Sequence, residues 1–409
     1  MILDDPKPLR KLYADALLND VIPFWERHSP DRECGPRGGY FTCLDRQGNV
    51  FDTDKFIWLQ ARQVWMFSKF HNVLEARPQW LEMAASGARF LADHGRDDQG
   101  DWYFALTRQG RPLVAAYNVF SDCFAAMAFA EFGRASGQAW ATELGASTFQ
   151  RILDRWDNPK GKYNKLVPGT RPMRSMVLPM ITVNLAMELG QGPQGVSVEQ
   201  VVRDNLTTIM STFVDRKAGL IFEHVAPDGS HPDTFDGRLI NPGHGIECMW
   251  FVMAAAGRLG DTAMIELAAD ALLDQLQFGW DEQYGGIQYF LDAQGKPPQQ
   301  LEWNQKLWWV HIETLIGLLM GYHLTGRPVF AQWYQRVHDY TWSHFPDPEF
   351  GEWYGYLDRR GEVLLPLKGG KWKGCFHVPR GLWMCMTILD QMIADKTASS
   401  QAVQSENKA

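Results

Sequence analysis

Apolar segments of helical length alternate with short aromatic loops along most of the chain. The segment KFIWLQARQVWMFSKF (55–70) is followed by PQWLEMAASGARFLADHG (78–95), and GIECMWFVMAAAGRLG (245–260) is followed by DTAMIELAADALLDQLQFGW (261–280). Their lengths and apolar spacing predict pairs of helices. The breaks carry residues that end and start helices, as at Gly260-Asp261 and Gly326-Arg327-Pro328.

A loop pattern repeats six times at a nearly constant period. Each copy has a glycine next to aromatic or β-branched residues, and most copies have a second turn, such as Asp-Gly or Gln-Gly, a few residues later. The repeat glycines, 58 to 67 residues apart, are Gly39, Gly100, Gly161, Gly219, Gly286 and Gly351. Closure on a turn dipeptide predicts a short β-hairpin-like loop in each copy.

The repeat also predicts the fold. Six units of one loop and two helices make twelve helices, and units that stack with equal rotation can close into a ring. We therefore expect an all-α fold, an (α/α)6 toroid of six helical hairpins with short β-hairpin-like loops at one rim. An open solenoid is the alternative, but it would need polar end repeats, which are not seen. We expect one domain over residues 1–396 and a flexible, polar C-terminal tail over residues 397–409.

Composition and charge exclude several classes of protein. The 409 residues are 45% hydrophobic and 22% charged, which is ordinary for a globular protein. With a net charge of −8 and no basic stretch, we expect no nucleic-acid or membrane partner. No apolar run reaches the roughly 18 residues that span a bilayer, and the first residues lack the apolar core of a signal peptide. Six scattered cysteines without a CxxC pair indicate reduced thiols and a cytoplasmic protein.

The helix after each loop is apolar nearly all round, so it is the better candidate for the inner wall of the ring. Each of these helices still carries polar residues 21 to 29 positions after its loop glycine. They are Arg62, Ser121, Asp122, Asn184, His244, Glu247, His311, Glu313, His377 and Arg380. Equivalent positions on six inner helices meet at one end of the axis, which predicts a polar site in an axial cleft.

Spacing groups these charged residues further. His244 and Glu247 are three apart, as are His377 and Arg380, so each pair shares a helix face. Taken singly, a histidine on an apolar helix is more often a hydrogen-bonded core residue, and a buried arginine more often pairs structurally. Two histidines, two glutamates and Arg62 at equivalent offsets favour a shared functional site instead.

Two further patterns are weaker. His244 and Glu247 could hold a metal ion, but a third ligand at a suitable spacing is lacking, so we expect no metal site. The loop LKGGKWKG (367–374) contains glycines and lysines that could meet a phosphate, but it is not a Walker motif. It is more typical of a flexible rim loop.

The motifs carry a resemblance that covers almost the entire chain. GGYF, DTDKFIWLQARQVWMF, NVFSDCFAAMAF, NPGHGIECMW, KLWWVHIETL and KGCFHVPRGLW are similar to those of the N-acylglucosamine 2-epimerase family, whose mammalian members are also called renin-binding proteins. The resemblance implies interconversion of N-acetylglucosamine and N-acetylmannosamine without a cofactor for the chemistry. It also implies ATP as an allosteric activator that is not consumed. We expect a homodimer, because many rings of this kind dimerise through outer helices.

The resemblance also implies roles for residues. The family's acid/base histidines fall on His244, for the C2 hydrogen of the manno epimer, and on His377, for that of the gluco epimer. Its essential arginine falls on Arg62. Its glutamates fall on Glu247 and Glu313, which can orient the histidines or hold sugar hydroxyls. Beyond the resemblance, Trp309 and Trp372 offer stacking faces for the sugar, and Asn184 is a polar residue of the inner wall that we also expect to bind it.

The chemistry explains the residue types. The C2 hydrogen of an open-chain aldose is acidic because it is α to the C1 carbonyl, and a base with a pKa near the working pH is needed to remove it. Inversion requires a second base on the opposite face, hence two histidines. Arg62 in a dry cleft can stabilise the negative charge that develops on O1.

Other functions stay open. Cellobiose 2-epimerases and aldose–ketose isomerases share much of this frame, although His311, where disaccharide epimerases are expected to have glutamine, favours the N-acetylhexosamine branch. An (α/α)6 glycoside hydrolase would use Glu247 and Glu313 as its two carboxylates, but it would leave the histidines without a role. A protein-binding role would leave the inner polar residues unexplained.

Overall fold

A computed structural model of the protein describes residues 2–116, 118–159, 165–167 and 169–406. The repeat glycine Gly161 lies outside the described residues. The described chain is mainly helical, and its strands are only two or three residues long. The predicted all-α class is therefore confirmed.

Fourteen α-helices follow one another in the described chain, and α2 and α9 are short. They are α1 (Pro6–Ala16), α2 (Ile22–His28), α3 (Ile57–Val73), α4 (Pro78–His94), α5 (Phe120–Ser136), α6 (Ala139–Asp154), α7 (Val177–Leu189), α8 (Val198–Thr208), α9 (Phe235–Arg238), α10 (Pro242–Leu259), α11 (Thr262–Gly279), α12 (Trp308–Thr325), α13 (Pro328–His344) and α14 (His377–Glu406).

The helices that directly follow the loops form the inner wall, as predicted. They pack against one another in the order α3, α5, α7, α10, α12 and α14. Every residue from Trp308 to Leu319 of α12 is buried, because inner helices lie on both sides and an outer helix lies behind. The outer helices α4, α6, α8, α11 and α13 each pack on the inner helix before them and bury one face only.

The sixth helical hairpin is built from the two ends of the chain. After the sixth loop the described chain has only α14, and α1 packs against it as the outer partner. The guanidinium of Arg10 on α1 donates to the carboxylate of Asp390 on α14 at 2.9 and 3.1 Å. The indoles of Trp65 on α3 and Trp383 on α14 lie 6.5 Å apart, so the last inner helix contacts the first. The repeat predicted two helices after every loop and missed this exchange, because its first loop begins only after α2.

Short antiparallel strands shape the loops at the rim. They are β1 (Cys43–Leu44), β2 (Val50–Asp52), β3 (Lys55–Phe56), β4 (Ala105–Leu106), β5 (Pro112–Val114), β6 (Arg174–Ser175), β7 (Val214–Asp215), β8 (Leu220–Ile221), β9 (His224–Val225), β10 (Leu239–Ile240), β11 (Leu291–Asp292), β12 (Lys306–Leu307), β13 (Tyr356–Leu357) and β14 (Val363–Leu365). The sheets are β1–β2, β3–β4–β5, β6–β9, β7–β8, β10–β11 and β12–β13–β14.

These sheets join neighbouring repeats. The strands that enter α3, α10 and α12 are β3, β10 and β12, and each pairs with a strand from the loop of the next repeat. The five described repeat glycines have φ angles of 65° to 83°, which explains why glycine recurs at this turn. The predicted hairpin-like loops are confirmed for the described copies.

Three buried charge clusters strengthen the rim. Each joins an aspartate at the start of a loop to a lysine and to an arginine from the next repeat: Asp31, Lys55 and Arg108; Asp281, Lys306 and Arg359; Asp347, Lys368 and Arg46. In the third cluster, Lys368 Nζ and Arg46 Nε each lie 2.8 Å from Oδ2 of Asp347. Because Arg46 belongs to the first loop and Asp347 to the sixth, this cluster closes the ring.

Several predictions concern the chain as a whole. All six cysteines are free, and five of them are buried. None of the described helices combines the length and the apolar character that a membrane crossing would need. The backbone of α14 stays helical to Glu406, so most of the segment predicted as a tail continues this helix, and residues 407–409 lie outside the described residues. The flexibility of the tail stays a prediction.

Candidate active site

His244 lies in the first turn of α10, where a carboxylate from a neighbouring loop holds its ring. The side chain of Asn241 caps the helix by accepting a hydrogen bond from the His244 backbone N–H at 3.1 Å. Nδ1 of His244 lies 3.0 Å from Oε1 and 3.1 Å from Oε2 of Glu223, which is buried between β8 and β9. Since a carboxylate only accepts, Nδ1 carries a proton and Nε2 is left for the cleft.

The charge of Glu223 also sets the protonation of His244. Burial lowers the pKa of His244, but the attraction and hydrogen bond of Glu223 outweigh burial and raise that pKa above its ordinary value. Burial raises the pKa of Glu223, and His244 more than reverses this effect, so the carboxyl pKa is lowered. The pair therefore favours an imidazolium beside a carboxylate.

His377 is the first residue of α14, and its surroundings act in the opposite direction. Its Nδ1 lies 2.7 Å from Oε1 of Glu313, which comes from α12. Burial, followed by the positive charges of Arg62 and Arg380, holds the pKa of His377 well below its ordinary value. At neutral pH the ring is therefore uncharged, with Nδ1–H donated to Glu313 and Nε2 available as a base.

Arg380 joins two glutamates from different helices. Its Nη2 lies 2.8 Å from Oε1 of Glu247 and 2.6 Å from Oε1 of Glu313. The indole N–H of Trp250 donates to Oε2 of Glu313 at 3.1 Å. These two carboxylates and His377 offer ligand atoms within 4.8 Å of one another, a spacing that could suit a metal ion. Because the guanidinium already supplies positive charge to both carboxylates, the group is an ion-pair network rather than a ligand set that needs a cation.

The indole of Trp309 is a flat wall that both histidines share. Its ring centre lies 5.1 Å from that of His244 and 5.8 Å from that of His377, with the planes tilted by 38° and 39°. Gly243 of α10 approaches the indole so closely that a Cβ there would lie 2.6 Å from it. This close backbone approach requires glycine and fixes the indole.

Arg62 on α3 is enclosed by aromatic rings. Its guanidinium carbon lies 4.3 Å from the ring centre of Trp58, 4.0 Å from that of Phe124 and 4.6 Å from that of Phe376. Its Nε is buried without a hydrogen-bond partner among the described residues. Burial, with Arg380 second, lowers the pKa of Arg62 to about 9, so the side chain stays cationic at neutral pH. A cation without a bonded carboxylate in the described chain suits an oxygen of a ligand.

Comparison with known proteins identifies the family. The model of the N-acylglucosamine 2-epimerase family matches residues 39–378. The chain belongs to the N-acylglucosamine 2-epimerase family. It is 39% identical to the N-acylglucosamine 2-epimerase of Bos taurus over 387 residues, which span 92% of this chain and 90% of that protein. It is 38% identical to that of Homo sapiens over 384 residues, which span 92% of this chain and 89% of that protein.

A solved structure extends the comparison to the fold. The cellobiose 2-epimerase of Bacillus thermoamylovorans B4167 superposes with a TM-score of 0.80 and 19% identity, covering 94% of this chain and all of that one. The family predicted from the sequence motifs is confirmed, and so is the (α/α)6 fold. The protein is thus an isomerase of the N-acylglucosamine 2-epimerase family.

The structure brings most of the predicted site residues of this protein into one network. They are His244, His377, Arg62, Glu247, Glu313 and Trp309. Trp372 is 51% exposed at the rim, and its ring lies 5.7 Å from that of Trp58, which covers Arg62. Asn184 lies on α7 with its amide nitrogen 3.9 Å from Sδ of Met127. Sugar binding by Trp372 and Asn184 stays a prediction.

Two polar residues of the inner helices have structural partners instead. His311 is fully buried, with Nδ1 donating to the Leu307 carbonyl at 2.7 Å and Nε2 accepting from the Ile287 N–H at 3.1 Å. Both ring nitrogens are therefore used by the backbone, and His311 has none left for a sugar. Asp122 accepts from Arg155 of the following segment at 3.3 Å.

Sequence reasoning missed Glu223. It stands four residues after the repeat glycine Gly219, where the other described loops have the uncharged residues Cys43, Phe104, Phe290 and Gly355. A charged side chain at this position of the repeat is the signal that could have identified it. Arg380 was recognised as a polar residue of an inner helix, but its contacts with two glutamates on other helices depend on the three-dimensional arrangement.

The rim loop 367–374 is held by two buried lysines. Lys368 pairs with Asp347 and Lys373 with Glu352, each at 2.8 Å, and both lysine side chains are almost fully buried. Lys371 is exposed. Two of the three lysines in this loop are thus unavailable to a phosphate.

Proposed function

We propose that the enzyme interconverts N-acetyl-D-glucosamine and N-acetyl-D-mannosamine by proton transfer at C2 of the open-chain sugar. The observation that carries the proposal is that two differently charged histidine sites share the wall of Trp309: His244 with Glu223, and His377 with Glu313. Each ring keeps Nε2 for a ligand. The similarity to two mammalian N-acylglucosamine 2-epimerases supports this choice of sugar.

In the proposed reaction, Nε2 of His377 removes the C2 proton of the gluco epimer. The electron pair of the broken C–H bond enters an enolate over C1 and C2, with the negative charge on O1 and the acetamido group kept on C2. His244 then delivers a proton to the other face of C2, which forms the C–H bond of the manno epimer. The reverse direction exchanges the two roles, and the proton balance closes without an oxidant or a cofactor. The assignment of faces follows the family resemblance.

Arg62 is proposed to stabilise the enolate oxygen O1. Negative charge grows on O1 as the C2 proton leaves, and a preorganised cation in a site shielded from water lowers the energy of that state. The aromatic rings of Trp58, Phe124 and Phe376 keep bulk water from the guanidinium. These contacts support a role for Arg62 in the transition state rather than in folding alone.

The contacts of Glu247 and Glu313 disfavour the glycoside hydrolase alternative. A hydrolase needs one carboxyl group as a proton donor and space for a glycosidic bond between the two groups. Here Nη2 of Arg380 bonds both carboxylates and lies between them, where the glycosidic bond would have to be. We therefore assign the glutamates to orienting His377 and Arg380, and Trp309 and the rim residue Trp372 to the sugar.

A substrate panel tests the proposal. N-acetylglucosamine, N-acetylmannosamine, glucose, mannose and cellobiose are each incubated with the enzyme in deuterated water, and C2 exchange and epimer ratios are read by NMR. We expect deuterium at C2 and epimerisation for the two N-acetylhexosamines only. Efficient turnover of cellobiose or mannose, without turnover of either N-acetylhexosamine, would point to the cellobiose 2-epimerase or mannose isomerase type. Release of new reducing ends from oligosaccharides would indicate a hydrolase.

Regulation and assembly are proposed from the family resemblance. We expect ATP to activate the enzyme allosterically without being consumed, and the chain to form a homodimer in the cytoplasm. The free cysteines support a reducing compartment. Adding ATP or a non-hydrolysable analogue to the panel tests activation, and sedimentation equilibrium tests the dimer.

A further inference from the structure

The two histidines of the site face different sets of charges. His244 on α10 faces Glu223 from the rim loop and Glu247 from its own helix, with Arg62 on α3 as the opposing cation. Glu223 makes its side-chain hydrogen bonds with His244, so its negative charge is directed at this ring. The surroundings of His244 therefore favour a bound proton.

His377 on α14 also faces a carboxylate, but the charge of that carboxylate is balanced by a bonded guanidinium. Its partner Glu313 on α12 also accepts hydrogen bonds from Arg380 at 2.6 Å and from Trp250 at 3.1 Å. Glu247 on α10 is likewise bonded to Arg380, and Arg62 adds a second positive charge from α3. The negative charge near His377 is thus already matched by guanidinium groups.

The charges of the whole cluster balance with one proton on one histidine. The cluster contains the two cations Arg62 and Arg380 and the three carboxylates of Glu223, Glu247 and Glu313. These sum to one negative charge, so a single imidazolium makes the buried cluster neutral, which a low-dielectric site requires. Arg380 bonds Glu313, the carboxylate partner of His377, whereas Glu223 makes its side-chain hydrogen bonds with His244.

We propose that Arg380 is a positioning residue that keeps His377 neutral, as the base for the gluco epimer, and leaves the proton of the resting enzyme on His244. That His377 serves the gluco epimer rests on the proposed function, whereas the location of the proton does not. Arg380 acts through Glu313, because its Nη2 and Nδ1 of His377 bond the same oxygen, Oε1. Burial raises the pKa of Glu313, and Arg380 opposes this effect.

Each turnover moves the proton from one histidine to the other. When the gluco epimer is converted, the proton from C2 ends on His377 and the proton of His244 ends on the sugar. The enzyme released with the manno product therefore carries its proton on the less favourable ring. The resting state returns only after His377 loses a proton to water and His244 gains one.

NMR of the unmodified enzyme tests the location of the proton without any substrate. The protein is labelled with ¹⁵N-histidine, and spectra at pH 7 distinguish a ring with one bare nitrogen from an imidazolium with two N–H groups. His244→Asn and His377→Asn identify the two sets of signals. We expect His377 as the neutral Nδ1–H form and His244 as the cation, and the opposite pattern would overturn the proposal.

Variants of Arg380 test its role. Arg380→Met removes the charge that neutralises Glu247 and Glu313, so His377 binds a proton more readily. The acidic limb of kcat/KM should move to higher pH by about one unit or more, the size of an effect from a close charge. Arg380→Lys keeps the charge but loses the planar guanidinium, whose Nη2 donates to both carboxylates, so it should lower kcat while its acidic limb stays close to that of the unmodified enzyme.

Arg134 supplies the matched control. It also lies on an inner helix and pairs with buried Glu131, which Lys69 holds as well at 2.9 Å. Arg134→Met should leave the pH profile and kcat unchanged. A fall in kcat for Arg380→Met that is equal at every pH, with no movement of the limb, would reduce Arg380 to a structural residue.

The outcomes separate this inference from the proposed function. If the enzyme turns over neither hexosamine, the histidine spectra still locate the proton. If it turns over both and the spectra place the proton on His377, the proposed function stands and this inference fails. Should Arg380→Met not fold, Arg380→Gln also removes the charge but keeps a hydrogen-bonding side chain, and the same movement of the acidic limb is expected; an unmoved limb would overturn the role of Arg380.

Discussion

Nδ1 of His244 lies 3.0 Å from Oε1 of Glu223, so a rim loop controls the protonation of a residue on an inner helix. The loop and the helix belong to the same repeat, and β10 lies between them in the chain. The carboxylate fixes the Nδ1–H tautomer and favours the imidazolium. This contact makes His244 the acid of the resting site, in contrast to His377.

Glu223→Gln should separate this electrostatic effect from packing, because glutamine keeps the size and removes the charge. We expect kcat to fall at least about 10²-fold, as when the carboxylate that orients a catalytic histidine is replaced by an amide. Glu223 raises the pKa of His244, so without it that pKa falls. The basic limb of kcat/KM should therefore move to lower pH.

The measurement is kcat/KM for both epimers across the pH range in which histidines titrate. Glu33→Gln is the control, because Glu33 is an exposed carboxylate of the same rim that pairs with Arg108. It should leave the profile unchanged. A profile for Glu223→Gln that matches the unmodified enzyme would show that Glu223 does not control His244.

The sequence predicted the fold because the fold is periodic. A loop glycine recurs once per unit in the sequence, with a positive φ in the five described copies, and the apolar helix after each loop became an inner helix. The sixth outer helix could not be found this way, because it is α1, which lies at the other end of the chain from its inner partner α14. That pairing depends on ring closure, which a local pattern does not encode.

The site was predictable where it followed the repeat. His244, Glu313 and His377 lie at similar offsets in successive units, and the structure places them in one network. Glu223 lies in a loop outside these offsets, so only its departure from the uncharged residues of the other loops marked it. Whether a polar residue faces the cleft or the backbone, as His311 does, depends on contacts that the spacing of residues does not determine.

Arg62→Lys tests the role of the unbonded guanidinium. Lysine keeps the charge but loses the planar group that packs on Trp58 and Phe124 and that can donate to an oxygen with two N–H groups. We expect turnover to fall by about 10²-fold or more, as for the loss of an oxyanion donor, with little change in the melting temperature. Steady-state kinetics and thermal unfolding measure the two effects.

Arg77→Lys is the control for this substitution. Its guanidinium packs on Trp80 at 4.5 Å on the outer surface, so any loss from cation–π packing alone should appear there too. We expect full activity for this variant. If Arg62→Lys also kept full activity, Arg62 would be only a structural charge.

Asp347→Asn tests the cluster that closes the ring. Without the carboxylate, Lys368 remains fully buried with an unmatched charge, which costs about 3–5 kcal/mol for a broken buried pair. Asp93→Asn removes an exposed pair with Arg37 and should cost at most about 1 kcal/mol. Denaturant unfolding at pH 7 compares both variants with the unmodified protein.

The effect of Asp347 should depend on pH in one direction. Burial raises the pKa of Asp347, but hydrogen bonds from Arg46 and Lys368 outweigh burial and hold it well below its ordinary value. Its contribution is therefore complete above the unfolded pKa of about 3.9 and is lost as the pH falls below that value. The difference in stability between Asp347→Asn and the unmodified protein should shrink on acidification. A difference that grew towards low pH would contradict the assignment.

His244→Asn and His377→Asn test the division of labour between the two bases. Asparagine roughly preserves size and part of the hydrogen bonding. Net epimerisation should collapse in both variants, because either direction uses both faces of C2. Each remaining histidine can still remove and return a proton on its own face.

The His377 variant should therefore exchange the C2 hydrogen of the manno epimer with deuterated water, and the His244 variant should exchange that of the gluco epimer. NMR follows both exchanges. Reversed face selectivity would overturn the assignment of the histidines, and full epimerisation by either variant would exclude the two-base mechanism.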